Sequence, residues 1–526
     1  MTTTSAIDLH QPLRRYWGYD EFRPMQERII QSILAGKDTA VVMPTGGGKS
    51  LCYQLPAVVS SGTAIVISPL IALMQDQAAQ LAEMGIAAAV LNSSIPWAQQ
   101  SEVVSKAAKG AYRLLYLSPE RLAKPETVAW LSRVPIAFFA IDEAHCISEW
   151  GHEFRPEYRQ LSTLRANFPG KPIAAFTASA TQRVRHDILA QLQLQQPDKY
   201  ICSFLRPNLQ YLVRQCENAR TQDRLLVAAL RAHAGENVIV YAPTIARVEE
   251  TVDFLARQGI KAVPYHAKME TRDRQKNQER WMSDEVPVLV GTIAFGLGIN
   301  KAAVRAVIHL SLPKSVEQYY QEAGRAGRDG LPSECALLWQ KRDAGLLAHF
   351  IEAVTDRAEK ERAWQRYHVI RRFAESETCR HRQICLHFGE TPKWEKCEMC
   401  DVCAEVPAWF DGLQDATLAI ARPERRKPAA AGRRQAAQAT GAPVDPQLVE
   451  FLKEWRRGVA THDNIPAFMV LHDATLDDLC RKLPRTHAEL LHVTGIGERK
   501  AQAHGAQILA ALEAFRKGAR ATSRST

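Results

Sequence analysis

Short apolar, β-branched runs alternate with longer helical stretches over most of this sequence. Between Asp38 and about Trp339, each run is followed by a turn with Gly, Pro or Ser and then by a segment of helical periodicity. Examples of the runs that predict strands are Thr39–Met43, Ala64–Ser68, Arg113–Leu117, Ala137–Ile141, Ile173–Thr177, Asn237–Tyr241, Val286–Gly291 and Val304–His309. This alternation predicts an α/β fold with parallel sheets flanked by helices. A break near Arg206-Pro207-Asn208 divides the region into two α/β domains in tandem.

The rest of the chain has a different pattern. Residues 342–372 read as helix, and a cysteine cluster follows before Glu405. Residues 421–443 are rich in Ala, Pro and Arg without apolar periodicity, which predicts a flexible linker. Residues 444–518 regain helical periodicity. The predicted domains are 1–206 and 207–342 (α/β), 343–408 (helical, with the cysteines), 409–443 (ending in the linker), 444–518 (all-α) and 519–526 (disordered tail).

Composition excludes several classes of protein. The 526 residues are 46% hydrophobic and 24% charged, which argues against a disordered, collagenous or coiled-coil chain. No apolar run is long enough to span a bilayer and the start lacks an export signal, so we expect a soluble cytoplasmic protein. Eleven scattered cysteines fit a reducing compartment better than a disulfide framework. The net charge is +10, and the linker 421–443 carries six Arg or Lys against one Glu, so basicity concentrates there.

A glycine-rich turn joins the first predicted strand to a helix. Residues 41–50 read VVMPTGGGKS, which can direct backbone N–H groups at phosphates. Lys49 would reach the β- and γ-phosphate oxygens, and the Ser50 hydroxyl would bind Mg²⁺. Met43 stands where the strict P-loop pattern has Gly, and an ordinary glycine turn is the alternative. The candidate nucleotide-binding residues here are Thr45, Gly46, Gly47, Gly48, Lys49 and Ser50.

A second strand, AFFAIDEAH, ends in Asp142 and Glu143. An acidic residue at the carboxyl edge of a neighbouring parallel strand can bind Mg²⁺, and the next carboxylate can polarise the attacking water. We therefore predict Asp142 as a magnesium residue and Glu143 as the base. The alternative, a helix N-cap, is less favoured beside a P-loop. The chemistry predicted is hydrolysis of ATP or GTP.

From about Leu13 to Cys403 the chain resembles the RecQ-type DNA helicases of superfamily 2, in which the departure at Met43 is usual. The resemblance implies two RecA-like domains. The segment GYDEFRPMQ resembles the adenine-recognition motif of that family, implying that Tyr19 and Arg23 sandwich the base and Gln26 binds its edge. That assignment favours ATP over GTP.

Further motifs match in order. SPLIALMQDQ, which begins at Ser68 and Pro69, and LSPERL (117–122) resemble DNA-contacting motifs, and FTASAT (176–181) resembles the motif coupling hydrolysis to strand separation. YHAKM (265–269), GTIAFGLGINK (291–301) and SVEQYYQEAGRAGRDG (315–330) resemble the motifs of the second domain. The resemblance gives Arg328 the arginine-finger role, with Arg325 beside it, stabilising charge that develops on the γ-phosphate.

The segment SEWGHEFRP (148–156) resembles the aromatic-rich loop of the family. Trp150 and Phe154 would stack on unpaired bases, while His152 and Arg155 would add polar and phosphate contacts. The alternative is that these aromatic residues belong to the core.

Four cysteines, Cys379, Cys397, Cys400 and Cys403, have spacing suited to a tetrahedral metal site. An iron–sulfur cluster is the competing use, and Cys385 lies close in sequence to Cys379. Resemblance to the RecQ zinc-binding module implies zinc and Cys379, with a structural role, and leaves Cys385 as a core thiol.

One domain of the family, the winged helix, is expected to be absent from this sequence except for its opening. WFDGLQDATLAI (409–420) resembles the opening of the winged helix of RecQ helicases, after which the linker begins. We expect the linker to provide a salt-sensitive DNA contact instead, or else to be merely solvated. Residues 444–518 resemble an HRDC domain, in which Gly495-Ile496-Gly497 either binds a phosphate or forms an ordinary turn.

The predicted function is an ATP- and Mg²⁺-dependent DNA helicase with structural Zn²⁺, moving 3′ to 5′ on single-stranded DNA. Its predicted partners are single-stranded, tailed or forked DNA, its predicted state is a monomer in the bacterial cytoplasm, and its predicted processes are recombination, repair, replication and the SOS response. The alternatives are an RNA helicase, which would select strands through the 2′-OH, and an ATP-gated DNA-binding scaffold that never separates strands.

Overall fold

The computed structural model describes residues 8–92, 95–292, 301–411, 445–462, 471, 473–493, 496 and 498–518. The predicted linker 421–443, the tail 519–526, most of GTIAFGLGINK and both glycines of Gly495-Ile496-Gly497 lie outside these residues. The chain divides into two compact units, Met1–Ile420 and Ala421–Thr526. Within the described ranges, no helix is both long and apolar enough to cross a membrane.

The first domain is built on a seven-stranded sheet in which every pairing is parallel. Its strands are β1 (Thr39–Val42), β2 (Thr63–Ile67), β3 (Ala88–Leu91), β4 (Leu114–Leu117), β5 (Ile136–Ile141), β6 (Ile173–Thr177) and β7 (Asp198–Ile201). Their order across the sheet is β3-β4-β2-β5-β6-β1-β7. Every residue of β2, β4 and β6 is buried, as expected when helices cover both faces of a parallel sheet.

The second domain repeats this plan with six strands, all paired in parallel. They are β8 (Leu209–Gln215), β9 (Asn237–Tyr241), β10 (Ala262–Tyr265), β11 (Val288–Gly291), β12 (Val304–His309) and β13 (Ser333–Trp339). The order is β10-β11-β9-β12-β13-β8. The first sheet ends at Ile201 and the second begins at Leu209, so the predicted break at 206–208 lies between them. The predicted fold class is confirmed.

The helices of the first domain are His10–Pro12, Leu13–Trp17 (a π-helix), Gln26–Leu34, Lys49–Val59, Ile71–Glu83, Trp97–Ala108, Pro119–Leu122, Pro125–Leu131, Ala144–Ile147 and Pro156–Thr163 (both 3₁₀), Leu164–Asn167 and Gln182–Gln191. Those of the second are Ala219–Ala232, Ile245–Arg257, Thr271–Met282 and Val316–Ala323. Three begin at residues of the quoted motifs: the hydroxyls of Ser118, Thr181 and Ser315 each accept a hydrogen bond from a main-chain N–H of the first turn. These three motif residues are therefore also the N-caps of the helices that follow them in the chain.

A helical module follows β13 and packs on the second domain. Its helices are Lys341–Glu352, Arg357–Glu375, Arg380–His387 and Ala408–Asp411. The loop that contains Cys397, Cys400 and Cys403 (the cysteine loop) packs against β8. Cys400 forms a parallel bridge with Tyr211, and the Asp401 carboxylate accepts a hydrogen bond from the Val213 N–H. The cysteine loop therefore covers the outer edge of β8. Phe410 is buried in the core of the second domain and the Trp409 indole N–H donates to Glu334. The described start of the winged-helix-like segment thus closes this module onto the second domain.

The C-terminal unit is helical in its described residues, as predicted. Its helices are Pro446–His462, Asp473–Lys482, His487–Leu490 and Glu498–Arg516. Leu448, Leu452, Leu476 and Leu512 belong to one buried apolar cluster. The apolar periodicity therefore forms a separate small core.

Candidate active site

The predicted chemical residues of the first domain converge at one edge of its sheet. The P-loop follows β1, Ser68 follows β2, Ser118 follows β4 and Asp142 follows β5. Because the strands are parallel, their carboxyl ends meet at the same edge, where ligands of open α/β sheets bind.

Glycine conformations shape the P-loop. Gly48 has φ of +86° and directly precedes the helix Lys49–Val59, whose N-terminus can face an anion. Met43 is buried and its side chain supports Gly47, where an added Cβ would lie 2.5 Å from Met43 Cγ. The Lys49 ammonium donates to the Met43 carbonyl oxygen at 3.3 Å. Met43, the departure from the strict pattern, is therefore part of the packing that holds the loop.

The adenine-motif residues brace the same loop. Gln26 Nε2 donates to the carbonyl oxygens of Gly47 at 3.3 Å and Gly48 at 3.2 Å, and the Arg23 guanidinium donates to that of Gly46. Tyr19 is 57% exposed at the rim of the cavity. These positions leave base recognition by Tyr19, Arg23 and Gln26 a prediction, and show that two of the three also support the phosphate loop.

Asp142 and Glu143 are a close carboxylate pair near Lys49. Asp142 Oδ1 accepts the Glu143 N–H at 3.0 Å, and the Glu143 carboxylate lies 3.3 Å from His145 Nδ1. Burial, followed by the Glu143 charge, raises the pKa of Asp142. Burial would also raise the pKa of Glu143, but the hydrogen bond and charge of His145 lower it. Burial lowers the pKa of Lys49, against the opposing effect of both carboxylates. The His145 contact thus favours the ionised form of Glu143, the form that the predicted role of polarising water needs.

A polar chain leads from this pair to the second domain. His145 Nδ1 lies 3.0 Å from the hydroxyl of Thr177, in the FTASAT segment. The Thr177 hydroxyl and Ser179 bond to each other, and Gln321 Nε2, on the helix Val316–Ala323, donates to Ser179 Oγ at 2.9 Å. FTASAT is therefore linked to Glu143 through His145 on one side and contacts the second domain on the other.

Arg325 and Arg328 bring the second domain to the P-loop. Added Cβ atoms at Gly46 and Gly324 would lie 3.4 Å from Arg328 Cγ and from Thr45 Cβ, respectively. Burial, followed by the charges of Arg325 and Arg206, lowers the pKa of Arg328 to about 9. A cavity of about 610 Å³ is lined by Tyr19, Arg23, Gln26, Thr45, Lys49, Ser50, Asp142, Glu143, Arg325 and Arg328, among others. Ser50 and Asp142 are there the candidate magnesium residues, since hydroxyl and carboxylate oxygens suit that ion.

The aromatic segment lies beside the site, with its residues in different surroundings. Trp150 is 37% exposed, and the guanidinium carbon of Arg183 lies 3.0 Å from its ring centroid. Phe154 lies under Arg159, while His152 stacks on His145 with centroids 4.8 Å apart. Arg155 donates a hydrogen bond to the Pro69 carbonyl oxygen at 3.3 Å. This bond joins two protein segments that are predicted to contact DNA. Trp150 is more exposed than Phe154, and base stacking by either residue stays a prediction.

Ser68 differs from the other predicted DNA contacts. It is 2% exposed, and its hydroxyl has no hydrogen-bond partner within the described part of the chain. Pro69 is partly exposed. DNA binding by either residue stays a prediction.

The four predicted metal cysteines form one cluster. The Sγ atoms of Cys379, Cys397, Cys400 and Cys403 all lie within 4.8 Å of one another, a spacing compatible with four sulfurs around one zinc ion. Cys385 is fully buried, and burial raises the pKa of its thiol to about 12. The Arg380 guanidinium bonds both oxygens of the Asp401 carboxylate and fixes the loop.

Two contributors escaped prediction from the sequence. Gln77, within a segment assigned to DNA, donates to the Ser50 hydroxyl at 3.2 Å. Arg206, in the segment joining the sheets, donates to the Thr45 carbonyl oxygen at 2.7 Å. No local motif marks Arg206, and its position beside Pro207 at the domain break was the single available signal.

Comparison with known proteins agrees with this arrangement. Residues 23–188 match the DEAD/DEAH box helicase family, 221–330 the helicase conserved C-terminal domain, 341–404 the RecQ zinc-binding family and 445–512 the HRDC domain. The chain is 36% identical to the ATP-dependent DNA helicase RecQ of Pasteurella multocida, over 94% of this chain and 93% of that protein. The chain belongs to the RecQ family of ATP-dependent DNA helicases.

Another RecQ relative, the ATP-dependent DNA helicase RecQ of Bacillus subtilis, is 33% identical over 96% of this chain and 98% of its own length. Among solved structures, DNA-bound MrfA, a DUF1998 helicase, has a TM-score of 0.53 at 18% identity, covering 65% of this chain and 52% of MrfA. RNA-bound Dbp5 of Saccharomyces cerevisiae has a TM-score of 0.52 at 15% identity, covering 70% of this chain and 92% of Dbp5. These two likenesses establish the helicase fold.

The RecQ alignment also bears on the predicted missing domain. The match to the Pasteurella protein extends over 594 positions, whereas 94% of 526 residues is about 494, so about 100 positions have no residue in this chain. The zinc-binding match ends at residue 404 and the HRDC match starts at residue 445. A shortened region is thus consistent with the sequence prediction.

Proposed function

We propose that this RecQ-family protein is an ATP- and Mg²⁺-dependent DNA helicase that moves 3′ to 5′ on single-stranded DNA and unwinds tailed or forked duplexes. The observation that carries the proposal is the single cavity lined by Lys49, Asp142 and Glu143 from one domain and by Arg325 and Arg328 from the other. ATP would bind Lys49 through its phosphates, with Mg²⁺ on Ser50 and Asp142, and a structural zinc ion would occupy the cysteine cluster.

The arrangement of residues suggests how hydrolysis drives movement. Glu143 would orient water, while Arg328 stabilises charge on the transferring phosphoryl group only when the domains are close. The chain His145–Thr177–Ser179–Gln321 joins the acidic pair to the second domain. Hydrolysis would then change the separation of the domains and shift the bound strand.

DNA is the preferred substrate over RNA for two reasons. The RecQ relatives are named as DNA helicases, and the segment SEWGHEFRP (148–156) resembles the aromatic-rich loop of that DNA helicase family. The likeness to RNA-bound Dbp5 is one of fold and supports no substrate. Work in recombination, repair or replication, and a monomeric state, are further parts of the proposal.

A tailed-duplex unwinding assay tests the function with the wild type and Lys49→Ala. We expect the wild type with MgATP to separate a duplex with a 3′ tail, and the variant to lose at least about 99% of this activity because phosphate positioning is lost. Lys109→Ala is the matched control, since Lys109 is an exposed lysine at the end of a helix in the same domain.

Three outcomes would contradict separate parts of the proposal. Unwinding of the 5′-tailed duplex alone would reverse the polarity. Stimulation of hydrolysis by RNA but not DNA oligonucleotides would favour the RNA helicase. Hydrolysis and DNA binding without strand separation would favour the scaffold.

A further inference from the structure

Arg206 lies in the short segment that joins the two sheets, and its side chain bonds both halves of the nucleotide cleft. Nη1 donates to the Thr45 carbonyl oxygen of the P-loop at 2.7 Å. Nη2 donates to the carbonyl oxygens of Gly327 at 3.0 Å and Ala326 at 3.3 Å, in the loop that carries Arg325 and Arg328. One side chain on the interdomain connection thus spans the two loops that hold the phosphate-binding groups.

The packing around Arg206 leaves these loops in direct contact. An added Cβ at Gly46 would lie 3.4 Å from Arg328 Cγ and 3.7 Å from Arg206 Nη1. These are ordinary van der Waals distances, so Gly46 of the P-loop packs directly beside Arg328 and Arg206. Arg206 sits where a small shift changes the position of the proposed arginine finger.

The main chain beside Arg206 is itself fixed on several sides. His381 Nε2 lies 3.2 Å from the Arg206 carbonyl oxygen, and the Tyr320 hydroxyl donates to Phe204. Asn208 Nδ2 donates to the carbonyl oxygens of Gly327 at 2.8 Å and Leu331 at 3.0 Å. The guanidinium is therefore carried on an ordered stretch of backbone, which gives its hydrogen bonds a defined direction.

Positive charges lie close together around Arg328. Burial, followed by the charges of Arg325 and Arg206, lowers the pKa of Arg328, so each of these two guanidinium groups repels that of Arg328. The three acceptors of Arg206 are main-chain carbonyl oxygens, whose dipoles offset part of that repulsion. These hydrogen bonds join the P-loop to the loop that carries Arg325 and Arg328 in spite of the repulsion.

We propose that Arg206 is a positioning residue of the ATPase. It holds the loop that carries Arg325 and Arg328 against the P-loop, so that Arg328 reaches the transition state of ATP hydrolysis. The inference rests on the proposed function, because it gives Arg206 a role only if the cleft hydrolyses ATP. Arg206 acts through Arg328 and needs no contact with the nucleotide.

Steady-state ATP hydrolysis with saturating single-stranded DNA tests this role. We expect Arg206→Ala to lower kcat about tenfold while nucleotide affinity, measured by titration with a fluorescent ATP analogue, changes less than about twofold. Arg206→Lys keeps the positive charge and some hydrogen-bond donors, so we expect its kcat to fall only about threefold. Arg113→Ala is the matched control, since Arg113 also donates to a carbonyl oxygen, that of Ser60 at 2.8 Å, but on the exposed surface.

A double-mutant cycle with Arg328→Ala separates positioning from general stability. If Arg206 acts through Arg328, adding Arg206→Ala to Arg328→Ala lowers kcat by less than about twofold more. Full additivity of the two losses, unchanged kcat in Arg206→Ala, or an equal loss of nucleotide affinity would overturn the role. Should Arg206→Ala fail to fold, Arg206→Lys enters the same cycle. A wild type without DNA-stimulated hydrolysis would refute the proposed function itself, whereas an active wild type matched by Arg206→Ala refutes this inference alone.

Discussion

Gly48 places the last turn of the P-loop in a backbone conformation that residues with a Cβ rarely adopt. Its φ is +86°, and an added Cβ would lie 2.3 Å from Gln26 Nε2. Gly36 has a similar φ of +75° but open space around it, with no atom within 4 Å of an added Cβ. The two glycines therefore separate the cost of backbone strain from the cost of disturbing the nucleotide loop.

We expect Gly36→Ala to lower the free energy of unfolding by about 1 kcal/mol, because it forces a left-handed conformation on alanine, and Gly48→Ala to lower it further, because it also displaces Gln26. Gly48→Ala alone should weaken ATP binding, by about tenfold or more, since it also displaces Gln26 from the P-loop carbonyls. Thermal melting and nucleotide titration measure the two effects. Equal ATP affinity in the two variants would contradict the packing described.

Single residues were predictable where their chemistry is local in sequence. Lys49 and Asp142 stand at strand ends within recognisable motifs, so the sequence alone placed them at one sheet edge. Arg206 and Gln321 act through contacts with residues more than a hundred positions away. Neither residue type nor spacing shows such partners, because they depend on how the two domains meet.

At the level of elements, the strands named from the sequence are all interior strands of the two sheets. The four edge strands, β3, β7, β8 and β10, were not among them. An edge strand has one neighbour instead of two, so its residues are less uniformly buried and its apolar run is weaker. In β7 intermediate and exposed positions alternate, and β10 contains Pro264. Interior β13, which starts with Ser and Glu, was also not named.

The helical module with the cysteine cluster contains both a proposed zinc ligand, Cys379, and a nearby cysteine outside the cluster, Cys385. We expect Cys379→Ser to reduce the zinc content of the purified protein well below one ion per chain and to lower Tm by at least about 5 °C, because a structural ion stabilises its fold directly. Cys385→Ser should keep the zinc, since Cys385 is a buried thiol outside the cluster. Elemental analysis and thermal melting give both readings. Retained zinc in Cys379→Ser, or iron in the wild type, would contradict the assignment.

At the scale of the whole molecule, the charge of the chain is concentrated between its domains. The linker 421–443 supplies +5 of the net +10. If it contacts duplex DNA, replacing its six basic residues with Gln should reduce the magnitude of the slope of log affinity against log salt by up to about 5. Titrating a labelled duplex at several salt concentrations measures this slope.

The Gln replacement removes the positive charge of the linker and keeps its length, so its effect on DNA affinity reports on charge alone. Deleting residues 421–443 tests both together. An unchanged slope and affinity in the Gln variant would show that the linker is solvated spacer, and DNA affinity would then have to come from the motor domains and the HRDC domain.

The cysteine loop also has a consequence for how the protein behaves during synthesis. It covers the outer edge of β8 through the Tyr211–Cys400 bridge and the Asp401–Val213 hydrogen bond. A chain made without metal would leave that edge open, and unpaired strand edges template association between chains. If the four cysteines bind zinc, we therefore expect zinc shortage to lower the solubility of newly made protein.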